Sequence, residues 1–240
     1  MRLAWQATGS ASPTWDVGSA SLLWVAGTSV HRLHPGSETH TETVVPQPIG
    51  AALPRTNSGL VLNLRDGIGL RDLDDRLTWL VYWHRDGAAA GPCATDPAGN
   101  LWAVTGDQLV RVEPDGRAKV VTTGNTVTGL AAGEEIHVAT PAGVDLIDPR
   151  TGSAHLVFEV PEGPAGLCVD ADGGIWVAIP AANQVRRYTP GGALDRALDV
   201  PGPTGCCFGG TDFTDLYITA GSVFVASGVG AGLPTARFPG

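Results

Sequence analysis

Short apolar runs, each built around one large side chain, recur along the chain at a near-constant interval. They are LLWVA (22–26), GLVLNL (59–64), NLWAVT (100–105), EIHVAT (135–140), GIWVAI (174–179) and DLYITA (215–220). Their anchors Trp24, Val61, Trp102, His137, Trp176 and Tyr217 stand 37, 41, 35, 39 and 41 residues apart. Each run is too short for a helix, and no stretch carries a sustained 3.6-residue period, so the runs predict strands. A period of about 40 residues that repeats six times is a signature of propeller blades.

The segments between the anchors follow one order. A glycine-containing apolar run leads through a turn to the anchor strand; next comes a strand such as QLVRVEP, GVDLIDP or QVRRYTP, and then a last strand such as AHLVFEV. The turns DPAGN, EPDGR, DPRTG, DADGG and TPGGA supply the glycine and aspartate positions that hairpins require. Four strands per unit and six units predict an all-β, six-bladed β-propeller. The last unit holds only about three strands, so the N-terminal RLAWQAT is expected to add the missing outer strand and close the ring. Nothing in the composition divides residues 1–240, which read as a single domain.

Composition narrows the partners. The 240 residues carry a net charge of -9, against the clustered lysine and arginine that nucleic acid or an anionic membrane demands. No apolar run approaches the roughly 18 residues that span a bilayer, and the first residues lack a signal-peptide core, so the expectation is a cytoplasmic protein, monomeric or weakly homo-oligomeric. The four cysteines, Cys93, Cys168, Cys206 and Cys207, have neither zinc-site spacing nor disulfide-scaffold density. Cys206 and Cys207 are adjacent on a strand and read as two reduced packing residues.

The C-terminal half, from PAGLCVDADGGIWVA through RRYTPGG and TGCCFGG to LYITAG, resembles the senescence marker protein / gluconolactonase / luciferin-regenerating enzyme family. SPTW (12–15), ATDPAGNLWAVT and TGLAAGEEIHVA extend the resemblance over nearly the whole chain. It implies the same six-bladed propeller. It also implies a divalent metal, often calcium, at the channel mouth, polarising a lactone or ester for attack by water. Carried onto this chain, the implied ligand glutamate falls on Ala11, the asparagine on Thr128 and the aspartate on Ala165; the implied substrate-contacting arginine and asparagine fall on Ala89 and Gly91. No carboxylate remains at those positions, and no metal or other cofactor is expected.

Because Ala11, Ala89, Gly91 and Ala165 are smaller and less polar than what they replace, the mouth is expected to be wider and more apolar. The substrate-binding positions are then Ala11, Ala89, Gly91, Cys93, Thr128, Ala165 and Thr204. Three functions stand open: a metal-independent enzyme acting on a bulky, partly apolar small molecule by cyclisation, isomerisation or hydrolysis; a non-catalytic ligand- or protein-binding propeller; and a metal-dependent lactonase with relocated ligands. His84 and Asp86, in YWHRDGAAAG, form the best general acid and base pair on offer. On a strand through 77–83, Trp79 and Trp83 are expected on one face and Tyr82 on the other. His137 reads as a packed histidine, and Asp170 and Asp172 read as a turn.

Overall fold

A computed structural model describes residues 1–83, 88–124 and 126–240. Its strands form six four-stranded antiparallel sheets. Blade 1 is β2 (Ala11–Asp16), β3 (Ser21–Ala26), β4 (Ser29–His34) and β5 (Thr39–Val44); blade 2 is β6 (Ile49–Pro54), β7 (Leu60–Leu64), β8 (Gly67–Arg71) and β9 (Leu77–Tyr82). Blade 3 is β10 (Ala90–Thr95), β11 (Leu101–Thr105), β12 (Gln108–Val112) and β13 (Ala118–Thr123). Blade 4 is β14 (Gly129–Ala132), β15 (Ile136–Thr140), β16 (Gly143–Ile147) and β17 (Ala154–Glu159). Blade 5 is β18 (Gly166–Val169), β19 (Ile175–Ile179), β20 (Gln184–Tyr188) and β21 (Leu194–Asp199).

Blade 6 is β22 (Gly205–Gly209), β23 (Asp215–Ala220) and β24 (Ser222–Ser227), completed by β1 (Arg2–Trp5), whose Arg2 and Leu3 pair with Val225 and Phe224. The N-terminal strand therefore closes the ring from the chain's other end, leaving no open sheet between first and last blades. The only helical piece among the described residues is a 3₁₀ turn, Pro180–Ala182, and none is long and apolar enough to cross a membrane.

The recurring anchors are core residues. Trp24, Trp102 and Trp176 are almost wholly buried, each on the second strand of its blade. In blades 3 and 5 the anchor indole is tied to an aspartate six residues earlier. Trp102 Nε1 donates to Asp96 at 2.9 Å, and Trp176 Nε1 donates to Asp170 at 2.9 Å. Asp170 also accepts from the amides of Asp172 and Gly174, so the DADGG segment is a turn fastened to its own anchor. Arg187 Nε completes the set at 2.6 Å. Burial alone would push this carboxyl up, but the bonds from Arg187, Trp176 and Gly174 hold it below the usual carboxylate range.

Two local features depart from simple alternation. The pairing of β8 with β9 matches Gly69 to Trp79 and Ile68 to Val81, so Leu80 is an extra, bulged residue. The bulge turns Tyr82 onto the face of Trp79, and their rings meet edge to face at 5.6 Å. The expected separation of these two aromatics is thus corrected by one inserted residue. The second feature is the C-terminal tail. Gly232 meets Asp170 at the end of β18, and Phe238 bridges to Arg55 just past β6. Between these ends the Gly232 amide bonds to the Phe213 carbonyl at 2.8 Å and Arg237 Nε stands 4.0 Å from Asp16, so the tail links blades 5, 6, 1 and 2 at the ends of the innermost strands.

Candidate functional site

The innermost strands β2, β6, β10, β14, β18 and β22 all begin at the other end of the channel, and the residues opening them form its mouth. Thr128, Ala165 and Thr204 hold equivalent places there. Their amides donate to the carbonyls of Ala139 at 2.9 Å, Ala178 at 2.8 Å and Thr219 at 2.7 Å, each on the second strand of its own blade. Ala11 opens β2 opposite Val25, and Ala89, just before β10, accepts the Gly106 amide at 2.9 Å.

The oxygens and nitrogens at this rim reach sideways, from blade to blade. Ser12 Oγ donates to the Gly50 carbonyl at 2.7 Å, joining blade 1 to blade 2. Asn63 Nδ2 donates to the carbonyls of Gly91 and Val104, both at 2.9 Å, joining blade 2 to blade 3. Thr128 Oγ1 donates to the Pro164 carbonyl at 2.7 Å, joining blade 4 to blade 5; Thr204 Oγ1 reaches the Ser10 carbonyl at 2.5 Å, joining blade 6 to blade 1. Buried carbonyls need such donors, because leaving one unpaired costs about 1–3 kcal/mol.

Glycine lets the wall draw in. A Cβ at Gly50 would stand 2.1 Å from the Gly91 carbonyl oxygen, and one at Gly166 would stand 2.8 Å from the Gly205 Cα. The blades are therefore closely set at the mouth. The hairpins beside it are short: Gly106 and Asp107 alone join β11 to β12, and Gly221 alone joins β23 to β24. Neither leaves a lid.

Of the sequence-derived positions, Ala11, Ala89, Gly91, Thr128, Ala165 and Thr204 gather at this rim. Cys93 lies further along β10, buried among Ala51, Leu53, Leu101 and Val110 in the packing of blades 2 and 3, where burial pushes its thiol strongly up. His84 and Asp86 fall outside the described residues. His137 is buried 3.6 Å from Glu135, and burial lowers its pKa, as expected of a packed histidine. Asn63 is not among the positions that the sequence singles out. The signal was one amide inside the apolar LVLNL run, fully buried in β7.

A calcium-like ion takes six to eight oxygen ligands, several of them carboxylates. At the three positions where the resemblance places ligands, Ala11 and Ala165 offer no side-chain donor and Thr128 one hydroxyl already bonded to Pro164. Among the described residues no three His, Cys, Asp or Glu side chains group as a metal site. The donor set does not fit such an ion. Among the described residues, two clefts lie at the far end: one of about 390 Å³ between blades 1 and 2, lined by the Asp16–Arg32 ion pair, Arg71 and Arg237, and one of about 490 Å³ between blades 6 and 1.

A family profile described as the SMP-30/Gluconolactonase/LRE-like region matches residues 10–128 and 144–222. The chain is similar to a 6-deoxy-6-sulfogluconolactonase of Pseudomonas putida, 30% identical over 237 residues that cover 87% of this chain and 81% of that protein. Regucalcin of Xenopus laevis is 26% identical, covering 87% of this chain and 82% of that one. Among solved structures, a luciferin-regenerating enzyme superposes with a TM-score of 0.88 at 20% identity, covering 98% of this chain and 96% of that one, a likeness of fold.

Proposed function

The chain belongs to the SMP-30/gluconolactonase/LRE-like family, and from that membership we propose that it binds a bulky, partly apolar small molecule at the channel mouth and acts on it without a divalent metal. The observation that carries this reading is the use made of the polar groups at the rim. Ser12, Thr128 and Thr204 direct their hydroxyls to carbonyls of neighbouring blades, while Ala11, Ala89, Gly91 and Ala165 bring no polar side chain. Such a rim contacts a ligand through methyl groups and backbone. It promotes a reaction by holding the ligand in a reactive shape, which suits an intramolecular cyclisation or isomerisation, or the hydrolysis of a strained ring.

A second reading is a propeller that binds without turnover. It is favoured by the absence of a titratable side chain from the seven rim positions named above. The two readings separate when the purified protein is offered a series of lactones of increasing alkyl length, with binding followed by calorimetry and turnover by product formation. The proposal expects affinity to rise with alkyl length and turnover to continue undiminished in chelator. Binding without product would favour the second reading. About one tightly held divalent ion per chain, with activity lost on chelation, would restore the sugar-lactonase chemistry that the Pseudomonas putida relative's name describes.

A further inference from the structure

The side-chain links at the rim join blades 1 to 2, 2 to 3, 4 to 5 and 6 to 1. Between blades 5 and 6 the equivalent position is Ala165, which has no hydroxyl. What crosses this interface instead is a pair of thiols. Cys168, on β18, and Cys206, on β22, stand with their sulfurs 3.5 Å apart. Cys206 is buried, whereas Cys168 is only partly so, and both pack with Trp176, Phe208 and Ile218. Cys207, next in the chain, points to the opposite side and packs with Trp15, Trp24 and Tyr217.

We propose that Cys168 and Cys206 are an oxidisable pair that forms a disulfide between the innermost strands of blades 5 and 6. A disulfide needs a sulfur–sulfur separation of about 2.05 Å, so each sulfur moves by roughly 0.7 Å from its present place. The strands already run side by side, since a Cβ at Gly166 would stand 2.8 Å from the Gly205 Cα and 2.8 Å from the Thr204 carbonyl oxygen. The co-reactant is a hydroperoxide. The Cys168 thiolate, the more accessible of the two, attacks the peroxide oxygen to give a sulfenic acid and releases one water or alcohol. The Cys206 thiol then attacks that sulfur, forming the S–S bond and releasing a second water. The thiols lose two protons and two electrons, which reduce the peroxide O–O bond to the two released molecules.

The hydrogen bond with Cys206, burial and the nearby Cys207 and Asp170 all hold the Cys168 thiol protonated, and Arg187 offsets part of the Asp170 charge. Because the thiolate is the attacking species, the reaction is slow near neutrality and accelerates with rising pH.

The test treats the purified chain with hydrogen peroxide, blocks remaining thiols with an alkylating agent and maps the products by peptide mass. With the alkylation done under denaturing conditions, the expected result is a loss of about 2 Da before blocking, two alkylated thiols at Cys93 and Cys207, and a linked peptide joining Cys168 to Cys206. Thermal unfolding of the oxidised protein should shift upward by about 5–10 °C, reversed by a dithiol reductant. Cys168→Ser and Cys206→Ser should abolish the mass loss, and Cys207→Ser should leave it intact. Four blockable thiols after treatment, over-oxidation of Cys168 alone, or a bridge mapped to any other pair would overturn the proposal. The wild-type peptide map decides this even if a serine variant fails to fold.

Discussion

Thr128 and Ala165 occupy the same place in successive blades, yet only one of them joins its blade to the next. Both amides bond to their own second strand, but Thr128 Oγ1 extends 2.7 Å to the carbonyl of Pro164, the residue just before Ala165. Thr204 repeats the relationship with Ser10, the residue just before Ala11. By the same geometry a threonine at 165 would reach the carbonyl of Pro203. Ala165→Thr is therefore expected to stabilise the fold by about 1 kcal/mol, visible as a rise of roughly 2–4 °C in thermal unfolding. Thr128→Val should cost a similar amount. A destabilised Ala165→Thr protein would mean that the hydroxyl cannot be seated there.

The architecture was legible because a blade is a local device. Six anchors at even spacing, hairpin turns of Asp-Gly type and a short sixth unit are enough to specify the ring and its closure, and β1 pairs with β24 as that logic requires. The candidate rim positions could be aligned, since Thr128, Ala165 and Thr204 open equivalent strands. What those groups do could not be read, because it depends on contacts between blades about 40 residues apart. Asn63 shows this: its amide bonds to Gly91 and Val104, partners that no periodicity within LVLNL announces. The Leu80 bulge was equally silent, because one inserted residue leaves the apolar pattern of β9 almost unchanged while rotating Tyr82 onto the face of Trp79.

If the rim is disqualified as a cation site only by its donors, restoring them should restore binding. In the triple variant Ala11→Glu, Thr128→Asn and Ala165→Asp, two carboxylates and an amide oxygen converge on the mouth from blades 1, 4 and 5. Calcium is expected to raise the unfolding temperature of the variant by several degrees and to leave the parent protein unchanged, since a ligand that binds only the folded state stabilises by mass action. A chelator should abolish the difference. An equal calcium response in both proteins would show that the parent already has a site.

The Asp170 carboxylate links acid stability to blade 5. Its folded-state pKa lies below the usual carboxylate value despite its burial, because Arg187, Trp176 and Gly174 all donate to it. A depressed folded pKa means that the unfolded chain takes up the proton first as pH falls. The stabilisation is complete at neutral pH and is lost progressively below about pH 4. Asp170→Asn removes the charge opposite the partly buried Arg187 and is expected to cost about 3 kcal/mol at pH 7. Denaturant titrations at a series of pH values should show the gap between wild type and variant narrowing toward pH 3. A constant gap would remove Asp170 from the acid response.

The tail makes the sharpest test of how the far end of the channel is held. Phe238 is fully buried among Leu53, Val61, Leu101 and Val112, and its amide and carbonyl bond to Pro54 at 3.0 Å and Thr56 at 2.9 Å. At the other side of the ring, the Ala171 amide donates to Ala231 at 2.8 Å. Phe238 is thus the buried aromatic anchor of a segment that reaches from blade 5 to blade 2 and that Arg55 also holds through the Gly240 carbonyl at 2.6 Å. Phe238→Ala should cost about 3–5 kcal/mol if the tail is integral to the core of blades 2 and 3. Leu233→Ala, on the same tail but 61% exposed, should stay within about 0.5 kcal/mol. Released from its anchor, the tail should also lose hydrogen-exchange protection at Ala171 and Thr56 together, because the two bonds depend on one segment. Loss at Thr56 with retention at Ala171 would instead divide the tail into two independent attachments, leaving Phe238 responsible only for the nearer one.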